Sequence, residues 1–545
     1  MNGKSLTIGL MLSCVIILSL GEAEAAPAIV TESGPLKGIT SPTINKFLGI
    51  PYAAPPLGDL RWTPPQRHGR WHGVLDATQI GNYCPQFDPF VSSNVTGNEN
   101  CLFLNVYTPG LTKKNQDKDD SLPVMVWIHG GGLVQGEGGQ FDPTPLVEKG
   151  GVIVVTINYR LGVLGFFAHP ALDAEGHLNA NYGLLDQQFA LRWVRRNIAA
   201  FGGDPKRVTI FGESAGGRSV YSNLASPTAA GLFQGAIAES GAYDAFQDYF
   251  QSNLPLATAE AEGTAFAASV GCGNQTAQCL RATSAFALVN AQPGYQIPIV
   301  DGTVLTQTLE SAFASGQFNR VPVISGGNHD EDRLWVALWF GYQGQGLMDA
   351  DYPAVTADYL GPAWLGLPVT DPFVQFIVNV AYPLSNYPVP PGVQSAPLAL
   401  GASLTDSEFA CPERNSVRLL AQYVPTYAYE FNDENAPLYP LPPANFPLGA
   451  YHSAEIQYLF NLLGPDLVHY IAAPFTADQQ QLSDTMIAYW AQFAASGDPN
   501  LRSAPHWSRY SVRTDKFQSL VPPTPTVESN FDAAHQCSSL WNNAF

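Results

Sequence analysis

The residues best suited to covalent chemistry lie in Phe211-Gly212-Glu213-Ser214-Ala215-Gly216-Gly217. A serine hydroxyl is a weak nucleophile until a neighbouring base takes its proton. In Gly-x-Ser-x-Gly, placed between a strand and a helix, the serine sits on a very tight turn. The flanking glycines remove side chains that would clash there and leave Oγ exposed. The apolar run Val208–Phe211 before it reads as a strand, and a helix-like run follows to Leu224. Ser214 is therefore the candidate nucleophile. A second signal, His129-Gly130-Gly131-Gly132, ends the strand-like run Pro123–Ile128. Glycines there let backbone N–H groups point at a developing oxyanion, and the N–H of Ala215 would complete such a hole.

An acid and then a histidine must follow the serine in this arrangement. The later histidines are His329, His452, His469, His506 and His535. An acid could come from Gly326-Gly327-Asn328-His329-Asp330-Glu331-Asp332, after the run Val321–Ser325. Pattern alone leaves Asp330, Glu331 and Asp332 open. His452 stands in Gly449-Ala450-Tyr451-His452-Ser453-Ala454-Glu455, after the run Thr426–Phe431.

The elements that must position these residues are short apolar runs of buried-strand character: Pro123–His129, Val152–Ile157, Val208–Phe211, Gly235–Ala238, Val321–Ser325 and Thr426–Phe431. Helical spacing occupies Leu184 to Ala200 and stops at Phe201-Gly202-Gly203. Strands alternating with helices predict an α/β fold with a mostly parallel central sheet flanked by helices. No fixed-period repeat or long linker breaks the chain. It reads as one catalytic domain over residues 26–545, with large insertions. Leu111 to Ser121 reads as an exposed hairpin loop, and the proline-rich stretches Tyr382–Pro397 and Tyr439–Pro447 as surface excursions.

The 545 residues carry 26 Lys+Arg against 46 Asp+Glu, a formal net charge of −20. Such a chain repels nucleic acid and anionic headgroups, so no nucleic-acid partner is expected. With 46% hydrophobic and only 13% charged residues, disorder and coiled coil are excluded. Lys4, the apolar run Leu6 to Leu20 and the small residues before Ala26-Pro27 have the three parts of a signal peptide, residues 1–25, and predict a secreted (extracellular or periplasmic) protein. That run is short for a membrane span, and no later one qualifies, so no stable membrane insertion is expected. Removing Cys14 leaves six cysteines, an even number compatible with disulfides. No Cys-x-x-Cys or His/Cys cluster points to zinc.

Taken together, the chain resembles the type-B carboxylesterase/lipase family, the cholinesterase-like branch of the α/β-hydrolases, from Phe47-Leu48-Gly49-Ile50-Pro51-Tyr52-Ala53 to Cys537-Ser538-Ser539-Leu540-Trp541. Phe201-Gly202-Gly203-Asp204-Pro205, Val208-Thr209-Ile210-Phe211 and Gly212-Glu213-Ser214-Ala215-Gly216 are similar to its active-site signature. Glu99-Asn100-Cys101-Leu102-Phe103-Leu104-Asn105-Val106 is similar to its second signature, with Asn100 where aspartate is usual. Asn158-Tyr159-Arg160-Leu161-Gly162 and Asn181-Tyr182-Gly183-Leu184-Leu185-Asp186-Gln187 also match. The resemblance implies the α/β-hydrolase fold and an ester hydrolase with Ser214 as nucleophile, Glu331 as acid and His452 as base. It implies oxyanion donors at Gly131, Gly132 and Ala215, and a polar layer of Glu213, Ser240 and Glu455 behind them. It implies the disulfides Cys84–Cys101, Cys272–Cys279 and Cys411–Cys537. Asp332 and Ser453 stand where the family usually has glycine. The implied acyl-enzyme mechanism needs no cofactor and no metal.

Substrate class is less legible. Only 16 residues lie between Cys84 and Cys101, including Phe87 and Phe90 but no tryptophan. Choline-specific relatives carry a tryptophan there that binds a cation face-on, and lipase relatives carry an apolar lid. Asp88, Asn94, Asn98 and Glu99 favour soluble or short-chain esters. The alternative is a lipase or sterol esterase acting on long-chain lipid esters. An amide or carbamate hydrolase with the same triad, or a binding protein, would be separated by turnover assays. Leu334–Phe340 is either a core helix or the lining of an apolar pocket. Asn94-Val95-Thr96 and Asn274-Gln275-Thr276 are glycosylation acceptors in a eukaryotic source.

Overall fold

Along Leu122–Ile128 the side chains alternate between two cores. Met125 and Trp127 pack into one, and Val124, Val126 and Ile128 into the other. That is the period of two expected of a strand covered on both faces. A computed structural model describes residues 29–543, apart from 88–91, 93, 111–120, 178–179, 244–252, 293, 295, 342–345, 439–442 and 464–472. The signal-peptide segment, His469, Phe90 and part of the second proline-rich stretch lie outside the described residues.

The main sheet has 11 strands. In chain order they are β1 (Ile39–Thr40), β2 (Ile44–Pro51), β3 (Phe103–Pro109), β4 (Leu122–Ile128), β5 (Ile153–Ile157), β6 (Gly203–Glu213), β7 (Gly235–Glu239), β8 (Val323–Asn328), β9 (Thr426–Phe431), β10 (Phe517–Leu520) and β11 (Thr526–Glu528). Their spatial order is β11-β10-β9-β8-β7-β6-β4-β5-β3-β2-β1. The central run from β10 to β5 is parallel, and both edges are antiparallel.

Helix α1 (Tyr182–Asn197) and helix α2 (Ala215–Ala225) cover one face through Leu191, Trp193, Val194, Val220 and Leu224. Helix α3 (Ala477–Ser496) covers the other through Met486, Trp490 and Phe493. A helix on each face is what shields a parallel sheet from water.

Two sequence expectations change. The loop expected over Leu111 to Ser121 lies almost wholly outside the described residues, but β3 and β4 on either side of it are not neighbours, because β5 pairs with both strands and lies between them. Every residue of β5 is buried, so it takes an interior position rather than leaving β4 beside β3. The stretch Tyr382–Pro397 is exposed only in its middle. Tyr382 is buried, donates to Asp406 Oδ2 at 2.7 Å and accepts from Trp541 Nε1 at 2.7 Å. The bulk of that ring outweighs the surface character of the prolines around it.

The cysteines pair as Cys84–Cys101, Cys272–Cys279 and Cys411–Cys537. Among the described residues, no helix is long and apolar enough to cross a membrane.

Candidate active site

Strand β6 ends at Glu213 and α2 begins at Ala215, so Ser214 alone makes the turn, with φ 55° and ψ −123°. A non-glycine residue there costs on the order of 1–3 kcal/mol and persists only where its surroundings hold it. They do: the Ser214 N–H donates to Glu239 O at 2.9 Å, and its carbonyl accepts from the Arg218 N–H at 2.8 Å. A Cβ on Gly212 or Gly216 would overlap the Ile128 carbonyl at the end of β4, and one on Gly217 would lie 2.5 Å from Glu239 O. The glycines are set by the neighbouring strand ends. Gly217 was part of that requirement, though the motif does not demand it.

The acid turn follows β8. Among the three carboxylates left open by the sequence, Glu331 is the one that meets His452. Its Oε2 lies 2.6 Å from His452 Nδ1, and the His452 N–H donates to the Glu331 carbonyl at 3.3 Å. Glu331 Oε1 accepts from Ser240 Oγ at 2.6 Å and from the Asn328 N–H at 2.7 Å. Asp330 instead binds Arg333, His329 and the Ala450 N–H. The Asp332 N–H donates to Thr405 Oγ1 at 3.0 Å.

Glu213, beside the serine, lies 3.2 Å from His452 Nε2 and accepts from Ser453 Oγ at 2.7 Å. Asn328 Nδ2 donates to Glu455 Oε2 at 2.5 Å. Ser214 Oγ forms no hydrogen bond among the described residues.

Burial disfavours a charged His452, but Glu213 and Glu331 outweigh it and raise its pKa to about 10. Burial pushes the Glu213 carboxyl up while His452 and Ser453 pull it down; it pushes Glu455 well above the usual range, helped by Glu213 and Glu331. Burial likewise drives Glu239 to about 8. The site therefore holds one imidazole against several desolvated carboxyls, two of them in contact with it.

Opposite Ser214 lies the glycine run. Gly131 and Gly132 have φ 95° and 62°, the left-handed region that glycine adopts without strain. The N–H groups of Gly131, Gly132 and Ala215 donate to no backbone acceptor among the described residues. His129 is buried, stacks on Tyr159 at 4.5 Å and is pushed by burial to about 4, so its ring is neutral. Its Nδ1 lies 2.9 Å from the Gly130 carbonyl, within the glycine run it precedes.

Two aromatic rings flank His452: Phe409 at 5.2 Å and Trp335 at 5.8 Å. Within Leu334–Phe340, Val336 and Ala337 are core, while Trp335 lies beside His452. Ser240 (φ 49°) and Ser453 (φ 71°) share the strained, positive φ of Ser214, and their hydroxyls hold Glu331 and Glu213, the two carboxyls in contact with His452. Nothing local in the sequence marks that strain. His329 and His535 lie in a separate cluster, and His506 is exposed.

The carboxylesterase family model matches residues 25–538. The chain is 34% identical to human cocaine esterase over 95% of its own length and 92% of that protein's. It is 35% identical to para-nitrobenzyl esterase of Bacillus subtilis (strain 168), covering 89% and 93%. A solved thermophilic PNB esterase superposes with a TM-score of 0.74 at 31% identity, covering 94% of this chain and 99% of that one.

The chain belongs to the carboxylesterase family.

As a carboxylesterase it is a carboxylic ester hydrolase of the α/β-hydrolase fold, with the strained serine at the carboxyl end of β6 and the acid turn after β8.

Proposed function

We propose that this carboxylesterase is a secreted serine esterase working through an acyl-enzyme on Ser214. Residues 1–25 are its signal peptide and the remainder is one catalytic domain. The observation that carries the mechanism is the Glu331–His452 hydrogen bond at 2.6 Å beside a serine held on a strained turn. His452 Nε2 turns from Glu213 to Ser214 Oγ and takes its proton as Oγ attacks the ester carbonyl. Such hydrogen bonds are often loose before substrate binds. Glu331 keeps Nδ1 protonated and stabilises the imidazolium. The N–H groups of Gly131, Gly132 and Ala215 bind the oxyanion, and losing one such donor typically costs about 3 kcal/mol. His452 then protonates the leaving alcohol, and a water it activates releases the acid. Three disulfides support the secretion reading, since they persist in oxidising compartments.

For substrate, we infer soluble esters of short to medium acyl chain. The aromatic walls Trp335 and Phe409, the short Cys84–Cys101 loop and relatives named for small organic esters support it. The test is hydrolysis of p-nitrophenyl esters from C2 to C16 beside Ser214→Ala. Activity should peak at short or medium chains, with the variant lower by about four to six orders of magnitude. A peak at C12–C16 that rises above the critical micelle concentration would replace this reading with lipase. Undiminished turnover in Ser214→Ala would remove the serine mechanism.

A further inference from the structure

Next to the acid turn, two histidine–carboxylate pairs converge on one glutamate. His535 Nδ1 lies 2.5 Å from Asp406 Oδ1, and Asp406 Oδ2 accepts from the Tyr382 hydroxyl at 2.7 Å. His329 Nδ1 lies 3.1 Å from Asp330 Oδ1, and Asp330 is held in turn by Arg333 at 2.8 Å and the Ala450 N–H at 2.9 Å. Each ring thus has Nδ1 fixed and Nε2 left for another partner. His535 Nε2 lies 2.6 Å from Glu430 Oε1. The two ring centroids are 5.4 Å apart, and one ligand atom from each of His329, Glu430 and His535 lies within 4.8 Å of the other two. Glu430 Oε2 accepts from Asn432 Nδ2 at 3.0 Å, and Glu528 shares a hydrogen bond with Glu430.

A carboxylate or carbonyl that orients a histidine through its second nitrogen is the outer partner metal-ligating histidines almost always have. Here a carboxylate plays that part twice. Two imidazoles and a carboxylate suit Zn²⁺ and its transition-metal neighbours, whereas Ca²⁺ and Mg²⁺ favour all-oxygen sites. Ligand bonds of about 2.0–2.2 Å put donor atoms about 3.3 Å apart around a tetrahedral ion, so the three groups need only small side-chain movements. His329 is 37% exposed and offers the way in, while Glu430 and His535 are buried. None of the three takes part in the ester chemistry.

We propose that His329, Glu430 and His535 form a site for one Zn²⁺-class divalent cation, with a fourth position left to water. Glu430 and His535 are 105 residues apart in the chain, so no local motif announces it. The cation would enter where His535 and Glu430 now share a proton, and it would tie the acid turn to β9 and the C-terminal segment.

The test is calorimetric titration of the untagged, chelator-treated full chain with ZnCl₂, paralleled by Co²⁺ absorption spectra. One ion per chain and a d–d band of tetrahedral intensity are expected. His329→Ala should weaken Zn²⁺ at least ~100-fold, a larger loss than outer-partner changes give, while the exposed His506→Ala binds as the wild type does. Absence of saturable Zn²⁺ binding in the wild-type chain overturns the site and leaves the cluster a proton-bridged clamp. So does unchanged affinity in His329→Ala, or a Co²⁺ spectrum typical of six-coordinate aquo ions; the last two readings do not depend on ester hydrolysis.

Discussion

Ser453 stands where the family usually has glycine, in a backbone conformation that glycine would adopt more cheaply, and its hydroxyl holds Glu213 at 2.7 Å. Glu213 in turn raises the pKa of His452, with burial opposing it. A base must be neutral to accept a proton, so a raised pKa moves the rise of activity with pH above the ordinary histidine range. Ser453→Gly removes a hydrogen bond that favours ionised Glu213. Less negative charge then faces His452, and the acid limb of kcat/KM moves to lower pH. Glu213→Gln moves it further in the same direction. A pH–rate series checks both, and movement to higher pH would contradict the electrostatic role given to Glu213. Glu331→Gln keeps the shape but not the charge, and should lower kcat by about 10⁴ with little change in KM.

At the scale of elements, the elbow exists because three strand ends crowd one turn. β4 brings the Ile128 carbonyl against Gly212 and Gly216, and β7 brings Glu239 O against Ser214 and Gly217. Gly216→Ala therefore pushes a methyl into backbone that cannot yield, unlike the end of a flexible side chain. It should cost at least ~3 kcal/mol in urea unfolding, the upper end for an added carbon in a packed interior. Gly231→Ala is the control. Gly231 is at positive φ (72°), which Gly216 is not, and meets nothing within 4 Å, so it should cost only about 1–2 kcal/mol for the conformation itself. A loss at Gly216 no larger than that at Gly231 would mean that packing against the end of β4 does not set the requirement.

For the whole molecule, buried groups make stability depend on pH. Burial pushes Glu239 to about 8 and Glu413 to about 7, against 4.5 for an ordinary glutamate; Glu213 and Glu331 raise His452 to about 10 against its burial. All three hold protons in the folded state that the unfolded chain releases. Stability from them is full below the unfolded value and is lost as pH rises through the folded one. The unfolding temperature should therefore fall steadily from about pH 6.5 to 9. Glu239→Gln retains an acceptor for Trp490 Nε1 and should flatten that fall up to about pH 8. Calorimetry across the range decides it, and a rise with pH would count against buried protonated carboxyls. Disulfides act through loop length. Cys411–Cys537 closes 126 residues and Cys272–Cys279 only 7. On chain entropy the first is worth about 5 kcal/mol and the second about 2. Serine pairs at each should differ in that order by urea unfolding.

What the sequence by itself determined is local and periodic. The apolar runs marked six of the seven central parallel strands and α1, because period and burial are written residue by residue. Gly212-x-Ser214-x-Gly216 and the glycine run marked two parts of the site, because both lie within a few residues of a strand end. Chemistry alone left three carboxylates and several histidines open, and resemblance alone chose among them. The tertiary structure shows the contact itself, Glu331 against His452, which residue chemistry without the resemblance could not give, since β8 must carry the turn beside β9 before Asp330 and Glu331 differ in surroundings. It also placed β5 between β3 and β4, set the strain at Ser240 and Ser453, and brought His329, Glu430 and His535 together. Each of those depends on contacts between segments far apart in the chain, which no window of sequence contains.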